Sequence, residues 1–548
     1  MRSFISVLSR ITVICAVFLF PSLLAGQTTN LNGIINVYTP VTFIDTTRCP
    51  VFVTVANTAG LNESDWVLII QMKGAQFDTS NTSSFGNVIN LNGAGNYEIA
   101  KIVNIMGNTI KLNGKLTNKY DVNGKVQLIK IPEYINANVT GVLTCQPWNG
   151  TTGGVLVFRV QNNLQLNADI DVSGRGFRGG NISTNPDGSC GGTSAGYHYP
   201  LYQPGLFSWV EGGAQKGEGI CEIDTPRLAG RGPLINGGGG ANKHNTGGGG
   251  GSNFTAGGKG GNELAGCSVL MNGGLGGNAL SSYYSASDKL FAGGGGGCGD
   301  YNNGVGSNGE NGGGIAILIC SSITGNNFKI LANGNDVTVI GSGIADGGGG
   351  GGAGGSVFLE ATSIVNPFSF EADGGRGGDQ NPSWGCVGPG GGGGTGTFLT
   401  NLPSLPGIPY SLAPGNAGLF LASGFSCSGT SYGAMPGIVN STGPLTGRSL
   451  VYTQDSTTSC IPLSVIDMDQ TGVSFTVYPD PANSFIKWKT AHNEDIFSDV
   501  KIVDYLGKIV YESNEKVKEI NIEKLAAGVY ILQVADESVI LRRKFIKN

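Results

Sequence analysis

The stretch GVLVFRVQNNLQLNADIDVSG, residues 154–174, decides how this chain folds. Its second half alternates: Leu164, Leu166, Ala168, Ile170 and Val172 are apolar, and Gln165, Asn167, Asp169 and Asp171 between them are polar. Successive side chains of a strand point to opposite faces, so the pattern is a strand with one face buried. The same outline recurs twice without gaps. Gly154, Gly314 and Gly354 open the copies, and Val157-Phe158, Ile317-Leu318 and Val357-Phe358 form a first β run. Ala168-x-Ile170-x-Val172, Phe328-x-Ile330-x-Ala332 and Phe368-x-Phe370-x-Ala372 form a second run, and Gly174, Gly334 and Gly374 close the copies. One copy cannot bury its own apolar face, so the copies are expected to stack. A right-handed β-solenoid is the first expectation for this body and a glycine-rich β-sandwich the second; either makes the chain all-β.

The body, residues 151–400, is also where glycine concentrates. Of 95 glycines, 69 lie between residues 171 and 400, in pure runs at Gly237–Gly240, Gly247–Gly251, Gly293–Gly297, Gly347–Gly352 and Gly390–Gly394. No strict every-third-residue period exists, which excludes collagen. Glycine loses the most backbone entropy on ordering. The runs are therefore ordered only if their backbone groups pair with one another, as packed polyproline-II-like segments would; the alternative is flexible loops. Pro403–Cys460 is poor in charge and in clear strands, so residues 401–474 read as a loop-rich end and linker.

Before the body, residues 27–150 carry the strand-like runs Ile34–Tyr38, Val51–Val55, Trp66–Met72, Glu98–Ile105, Thr109–Leu112 and Val126–Ile131, with Gly107-Asn108 as a hairpin turn. This reads as a small all-β domain. Asp65–Ala75 (DWVLIIQMKGA) and Trp148-Asn149-Gly150 resemble the start of large glycine-rich surface proteins of gliding and social bacteria, and that resemblance carries no catalytic motif.

The two ends point outward. Arg2 and Arg10, the apolar run Val13–Phe20 and the small residues Ala25 and Gly26 make residues 1–26 a secretory signal peptide, which implies the Sec translocon. Residues 475–548 hold 22 charged residues, 11 of each sign, and two glycines. β-rich runs there are separated by Pro479/Pro481, Leu506-Gly507-Lys508 and Gly528, as in a small β-sandwich. Val477-Tyr478-Pro479-Asp480-Pro481-Ala482, Asp504-Tyr505-Leu506-Gly507-Lys508-Ile509-Val510, Leu525-Ala526-Ala527-Gly528-Val529-Tyr530 and a basic end with Lys544 and Lys547 follow in order. Together they resemble the type IX secretion (Por) sorting domain of Bacteroidetes, with an immunoglobulin-like β-sandwich fold. Asp480 stands where that family more often has Asn. The resemblance implies delivery by the type IX outer-membrane machinery, an extracellular or outer-surface location, and removal of the tail.

Net charge is −5 with 13% charged residues. No basic stripe suits nucleic acid and no polybasic cluster suits lipid. No later apolar stretch is long enough for a transmembrane helix. Cys15 falls in the signal peptide, and the other ten cysteines cross an oxidising compartment, so disulfides are the natural reading. Cys49 and Cys145, alone in the first domain, are expected to pair. The connectivity of the eight from Cys190 to Cys460 is not readable.

Motifs for chemistry dissolve on inspection. Gly174–Gly179 fits G-x-G-x-x-G but no helix follows, and Gly192–Gly196 fits G-x-S-x-G without the strand and helix of a nucleophile elbow. Gly374–Asp379 loosely fits a calcium nonapeptide, with Asn381 where a large apolar residue belongs, so a loop calcium is the only cofactor considered. Asp169 and Asp171 read as one strand's solvent face. No catalytic, cofactor or metal residues are assigned. The expectation is a non-enzymatic, adhesin-like or coat-forming surface protein, whose Tyr197, Tyr199, Tyr202, Trp209, Tyr283, Tyr284 and Trp384 either stack on surface glycans or pack under loops. The alternative is a polysaccharide lyase or hydrolase on a solenoid.

Overall fold

The structure is a computed structural model. It describes residues 27–182, 190, 196–201, 212–222, 225–242, 244–267, 273–286, 288–302, 305–338, 346–455, 476–489, 499–504, 508–536 and 539–548. The expected signal peptide lies outside these. The fold is all-β; the one α-helix among the described residues is the short Ser281–Ala286.

An 11-stranded parallel sheet organises the body. The long strands Val155–Leu166, Ile315–Thr324, Ser356–Asn366 and Thr397–Thr400 pair in that order. The short strands Ile170–Asp171, Lys329–Leu331, Ser369–Glu371 and Tyr410–Ser411 pair in a second track. Asn136–Thr144 joins the tracks, pairing Ala137 with Leu164 and Leu143 with Ile170, and Thr28–Ile34 pairs with it. The sheet thus draws strands from both sides of residue 150.

Its curl follows from the apolar pattern. Leu156, Phe158, Leu318 and Leu359 of the long strands share one core with Ile170, Ile330 and Phe370 of the short track. Val155, Val157, Ile315, Ile317 and Phe358 point the other way, into a second core with Leu68, Ile70, Tyr97 and Ile129. Strands buried on both faces read as continuous apolar runs, which is why the first β run of each copy lacks the alternation of the second. The second runs align as the sequence suggests, Ile170 beside Ile330 beside Phe370. The first run of the third copy does not. Ile317 pairs with Phe358 and Leu318 with Leu359, one residue beyond the ungapped alignment; Thr324 pairs with Asn366, one residue further still, and the ungapped register returns only in the short track, where Lys329 pairs with Ser369. A one-residue slip exchanges faces; here it keeps Leu359 beside Leu318 in the core between the tracks.

The glycine runs are packed against one another and buried. Gly248 and Gly251 donate to the carbonyls of Gly348 and Gly351; those two donate to Gly388 and Gly391; Gly391 and Gly394 donate back to Gly248 and Gly251, all at 2.8–2.9 Å. The intervening residues bond elsewhere: Gly249 to Gly239, Gly297 to Gly249 and Gly350 to Gly297. Donors recurring every third residue in changing directions are the signature of polyproline-II chains side by side. None of the five runs contains a positive φ. The spacing leaves no room for side chains: a Cβ on Gly250, Gly251 or Gly350 would stand 2.0 Å from the carbonyl oxygen of Gly392, Gly294 or Gly249. The 401–474 tract joins this lattice through Gly415, Gly418 and Gly437, which donate to Gly393, Gly390 and Gly415.

Ahead of the sheet, Val126–Ile131, Tyr38–Asp45, Phe52–Val55, Thr109–Leu112, Tyr97–Met106 and Trp66–Gln71 close in that order into a barrel. Five of the six expected runs fall on strands. Ile34–Tyr38 instead spans the break between Thr28–Ile34, which belongs to the parallel sheet, and Tyr38–Asp45 of the barrel.

By compactness the chain divides into two units, the second formed by Thr453–Asn548 with Asp45–Val53 and Lys111–Thr117. Within it, a three-stranded sheet (Thr476–Tyr478, Phe485–Lys489, Glu519–Asn521) and a four-stranded sheet (Ile509–Ser513, Asp499–Asp504, Gly528–Asp536, Val539–Lys547) are antiparallel. Their shared core contains Ile486, Trp488, Ile502, Leu532 and Phe545.

Candidate functional site

Two buried polar centres lie where the barrel strand Trp66–Gln71 runs out into the segment Met72–Ala75. The first is an ion-pair knot. Lys73 Nζ lies 2.6 Å from Glu218 Oε1, and Arg178 Nε lies 3.0 Å from Glu218 Oε2. Trp148 Nε1 donates to Glu218 Oε2 at 3.2 Å, and the Trp148 ring meets Phe177 edge-on. Burial opposes ionisation of Glu218, but the Lys73 charge and the Arg178 hydrogen bonds outweigh it and hold the carboxyl at about 2. The knot joins two sequence stretches, Asp65–Ala75 and Trp148-Asn149-Gly150, to the first glycine-rich loop. Its partners are satisfied within the protein, so it acts as a pin. Nearby, fully buried Lys216 donates to the carbonyls of Tyr197, Gly230 and Gly232, and burial pushes its pKa well below the usual lysine range.

The second centre is Gln71, also fully buried. Its Nε2 donates to Lys73 O at 2.8 Å and Asn92 O at 2.9 Å, and its Oε1 accepts from Asp121 N at 2.8 Å. One amide thus ties three loops together. Glycine permits the approach: a Cβ on Gly93 or Gly124 would stand 2.5 or 2.3 Å from the Gln71 amide. These loops wall an open cleft of about 470 Å³. Its lining includes the apolar Phe77 and Ile89 and the polar Gln76, Asn92, Asp121, Asn123 and Glu222. Phe77 packs edge-on against Phe85 at 5.5 Å, and Ile89 is 69% exposed. Sequence reasoning passed over this cleft, because its residues are spread over 150 positions and only the buried Gln71 unites them.

The aromatic residues expected to meet glycans divide. Tyr284 is core, bonded to Ser356 and Asn253, Tyr197 and Tyr283 pack partly against that core, and Trp384 is 40% exposed. Tyr199 is partly buried, its hydroxyl accepting from Gly196 N; Tyr202 and Trp209 lie outside the described residues.

The cysteines correct the expected framework. Cys145 is not paired with Cys49. It is a free buried thiol beside Leu143 and Val172 in the core between the tracks, and burial pushes it up to about 12. Cys49 is in a disulfide, with a partner outside the described residues. Cys190–Cys267 and Cys386–Cys427 are bonded, whereas Cys221, Cys298 and Cys320 are buried thiols outside any disulfide, Cys298 Sγ donating to the carbonyls of Gly299 and Ser307. His244 Nδ1 lies 3.7 Å from Cys267 Sγ, a grouping with metal-ligand composition, but its two sulfurs are bonded to each other.

The chemical motifs resolve into packing. Gly176 and Gly179 of the G-x-G-x-x-G match sit against the carbonyls of Gly313 and Gly309. Asp379 of the calcium-like stretch accepts from Arg376 and from Leu419 N, 40 residues on. Asp373 N donates to Asn333 Oδ1, 40 residues back, and Ala413 N donates to Asp373 Oδ1, 40 residues on. Asp169 Oδ1 accepts from Lys329 N and Asp171 Oδ1 from Ser173 N. Of the G-x-S-x-G match only Gly196 is described.

In the C-terminal unit the expected sorting residues gather around the last strand. The peptide bonds before Pro479 and Pro481 are cis. Asp480 Oδ1 accepts from Ile546 N at 2.8 Å, a role Asn fills equally, and Ala482 bridges to Lys547. Tyr530 is buried, stacks on Phe545 and donates to Ala526 O. Tyr478 is exposed at the surface. Lys508 N closes its turn on Asp504 Oδ1, Gly528 opens the strand Gly528–Asp536, and Lys544 and Lys547 lie on Val539–Lys547; Gly507 lies outside the described residues.

Comparison with known proteins agrees at this end. Residues 476–548 match the secretion system C-terminal sorting domain. This segment is the type IX sorting tail, and the chain is exported to the extracellular side or outer surface by that machinery. No curated protein matches the chain. Among solved structures, PorZ, a surface component of the type IX secretion system of Porphyromonas gingivalis, is similar at 19% identity over 22% of this chain, only 14% of its own length, with a TM-score of 0.12. The Gp54 tailspike of Acinetobacter baumannii phage AP22, solved with a capsular saccharide, is similar at 10% identity over 95% of this chain and 83% of that one, TM-score 0.14. The gp49 tailspike of Pseudomonas phage LKA1 gives 9% identity over 93% and 82%, TM-score 0.13. No helix among the described residues is long and apolar enough to cross a membrane.

Proposed function

We propose that this protein is an adhesin-like or coat-forming component of the outer cell surface, carried there by its sorting tail, which is then removed. The observation that carries the reading is the interlocked glycine lattice. Runs whose Cβ positions are occupied by the backbone of other runs or of neighbouring segments make a rigid interior of close-packed main chain, a scaffold suited to holding surface loops outside the cell. The strand ladders serve the same end: Asn138, Asn167, Asn326 and Asn366 hydrogen-bond in sequence along the parallel sheet.

The test is to recover the displayed form from producing cells, determine its mass and termini, and compare attachment and surface-layer integrity with cells lacking the protein. A form ending before Phe475, and a loss of attachment or of the layer, are expected. A surface form retaining Asn548 overturns tail removal. Unchanged attachment and layer, together with turnover of a polysaccharide by the purified protein, replace this reading with an enzyme.

A further inference from the structure

We infer that the cleft beside Gln71 is a carbohydrate site selective for neutral or amino-bearing glycans; this deepens the surface reading and rests on it. Three features of the cleft converge. It is preorganised, because Gln71 fixes the backbones of the loops at Lys73, Asn92 and Asp121 before anything binds. Fixing the walls in advance removes ordering costs that a small polar ligand would otherwise have to offset. Its volume, about 470 Å³, falls within the range of small-ligand clefts.

Its lining is divided as a sugar ring is divided. Phe77 and the exposed Ile89 offer an apolar surface for C–H faces. The same lining carries the amides of Gln76, Asn92 and Asn123 and the carboxylates of Asp121 and Glu222, groups that hydrogen-bond to neighbouring hydroxyls. Asn123 is already oriented, since its N and Nδ2 both donate to Asp121 Oδ1 at 3.0 and 3.1 Å. The charge sets selectivity. The ionisable groups of the lining are Asp121 and Glu222, and the adjacent cation, Lys125 Nζ, stands 3.9 Å from Glu222 Oε1. Lys125 offsets Glu222 in part, so the lining keeps a net negative charge through Asp121: sulfated or carboxylated glycans meet repulsion there, whereas hydroxyls and ammonium groups meet acceptors.

The experiment uses the mature protein recovered from producing cells, applied to an array of neutral oligosaccharides (glucans, mannans, galactans), free and N-acetylated amino sugars, and the acidic polysaccharides alginate and heparin. Binding to neutral or amino members is expected. Ile89→Asp and Asn123→Ala, both at the cleft surface, should each weaken it at least about tenfold while leaving thermal unfolding unchanged. Silence across the array, a preference for alginate or heparin, or binding untouched by both variants overturns the proposal. Attachment that depends on the protein without any array binding would leave the surface reading standing and remove the cleft from it. Array binding by a protein absent from the outer surface would do the reverse.

Discussion

In the glycine-rich body, backbone packs on backbone; in the C-terminal unit, side chain packs on side chain. The body spends its interior on hydrogen bonds between runs such as Gly248–Gly251 and Gly348–Gly351. The tail builds its interior from Ile486, Trp488, Leu532 and Phe545. Hydrophobic burial is non-directional and tolerates volume-conserving change. A lattice of carbonyls and amides tolerates none, because each added atom lands on a backbone that other runs hold in place. The rigid region is thus also the one least free to vary in sequence, and the tail the more forgiving.

The sharpest way to break this contrast is Gly350→Val. Gly350 N donates to Gly297 O, Gly350 O accepts from Glu310 N, and its Cβ position is 2.0 Å from Gly249 O. Three neighbours would have to move, so a loss above about 4 kcal/mol is expected, in the range reserved for gross disruption of a core. Urea unfolding followed by hydrogen exchange should show the body opening while the residues 476–548 keep their protection.

Acid sharpens the same comparison. The Glu218 carboxyl is depressed from 4.5 to about 2. A depressed carboxylate contributes stability above its unfolded pKa and loses it as pH falls through the folded value. The body should therefore weaken between pH 4.5 and about 2, by on the order of 3 kcal/mol. The tail's Lys501–Glu512 and Lys487–Glu519 pairs are screened by solvent and should add little to its acid response. Glu218→Gln, which leaves Lys73 without its counter-charge, should reproduce the loss at neutral pH and flatten the acid transition.

A disulfide comes next in size. Cys386–Cys427 closes a 41-residue separation within the body, and residues 475–548 contain no cysteine. Removing that one crosslink with Cys386→Ser and Cys427→Ser together should cost the body about 2 kcal/mol and leave exchange in the tail unchanged.

How far these regions were legible in the sequence follows from the same difference. Side-chain packing writes a pattern: Leu164, Leu166, Ile170 and Val172 announce their strand, and the tail's turns announce its sheets. Backbone packing writes only composition, so Gly247–Gly251 left lattice and loop as equal readings. Register was legible where one face is wet, at Ile170, Ile330 and Phe370, and misread by one at Val357-Phe358, where both faces are buried and alternation is lost. The cleft was illegible for a further reason: Gln71 looks like any polar residue at a strand end, and its three partners are known only once the barrel brings them together. Cys145 misled because being alone in sequence says nothing of its neighbours in space.

The smallest expected effect is the most diagnostic for the tail. Gly528 belongs to the sorting motif, yet among the described residues the atom near its Cβ position is a Tyr530 ring carbon at 3.7 Å, an ordinary contact, and its φ is not left-handed. Gly528→Ala should therefore change stability by less than about 0.5 kcal/mol, in contrast to any alanine placed in the glycine lattice. Any export defect it causes, measured as retention of the chain inside cells, would then report recognition by the secretion machinery rather than unfolding. A loss of several kcal/mol would instead mean that the tail, like the body, depends on glycine for close backbone packing, and the contrast between the two regions would fail.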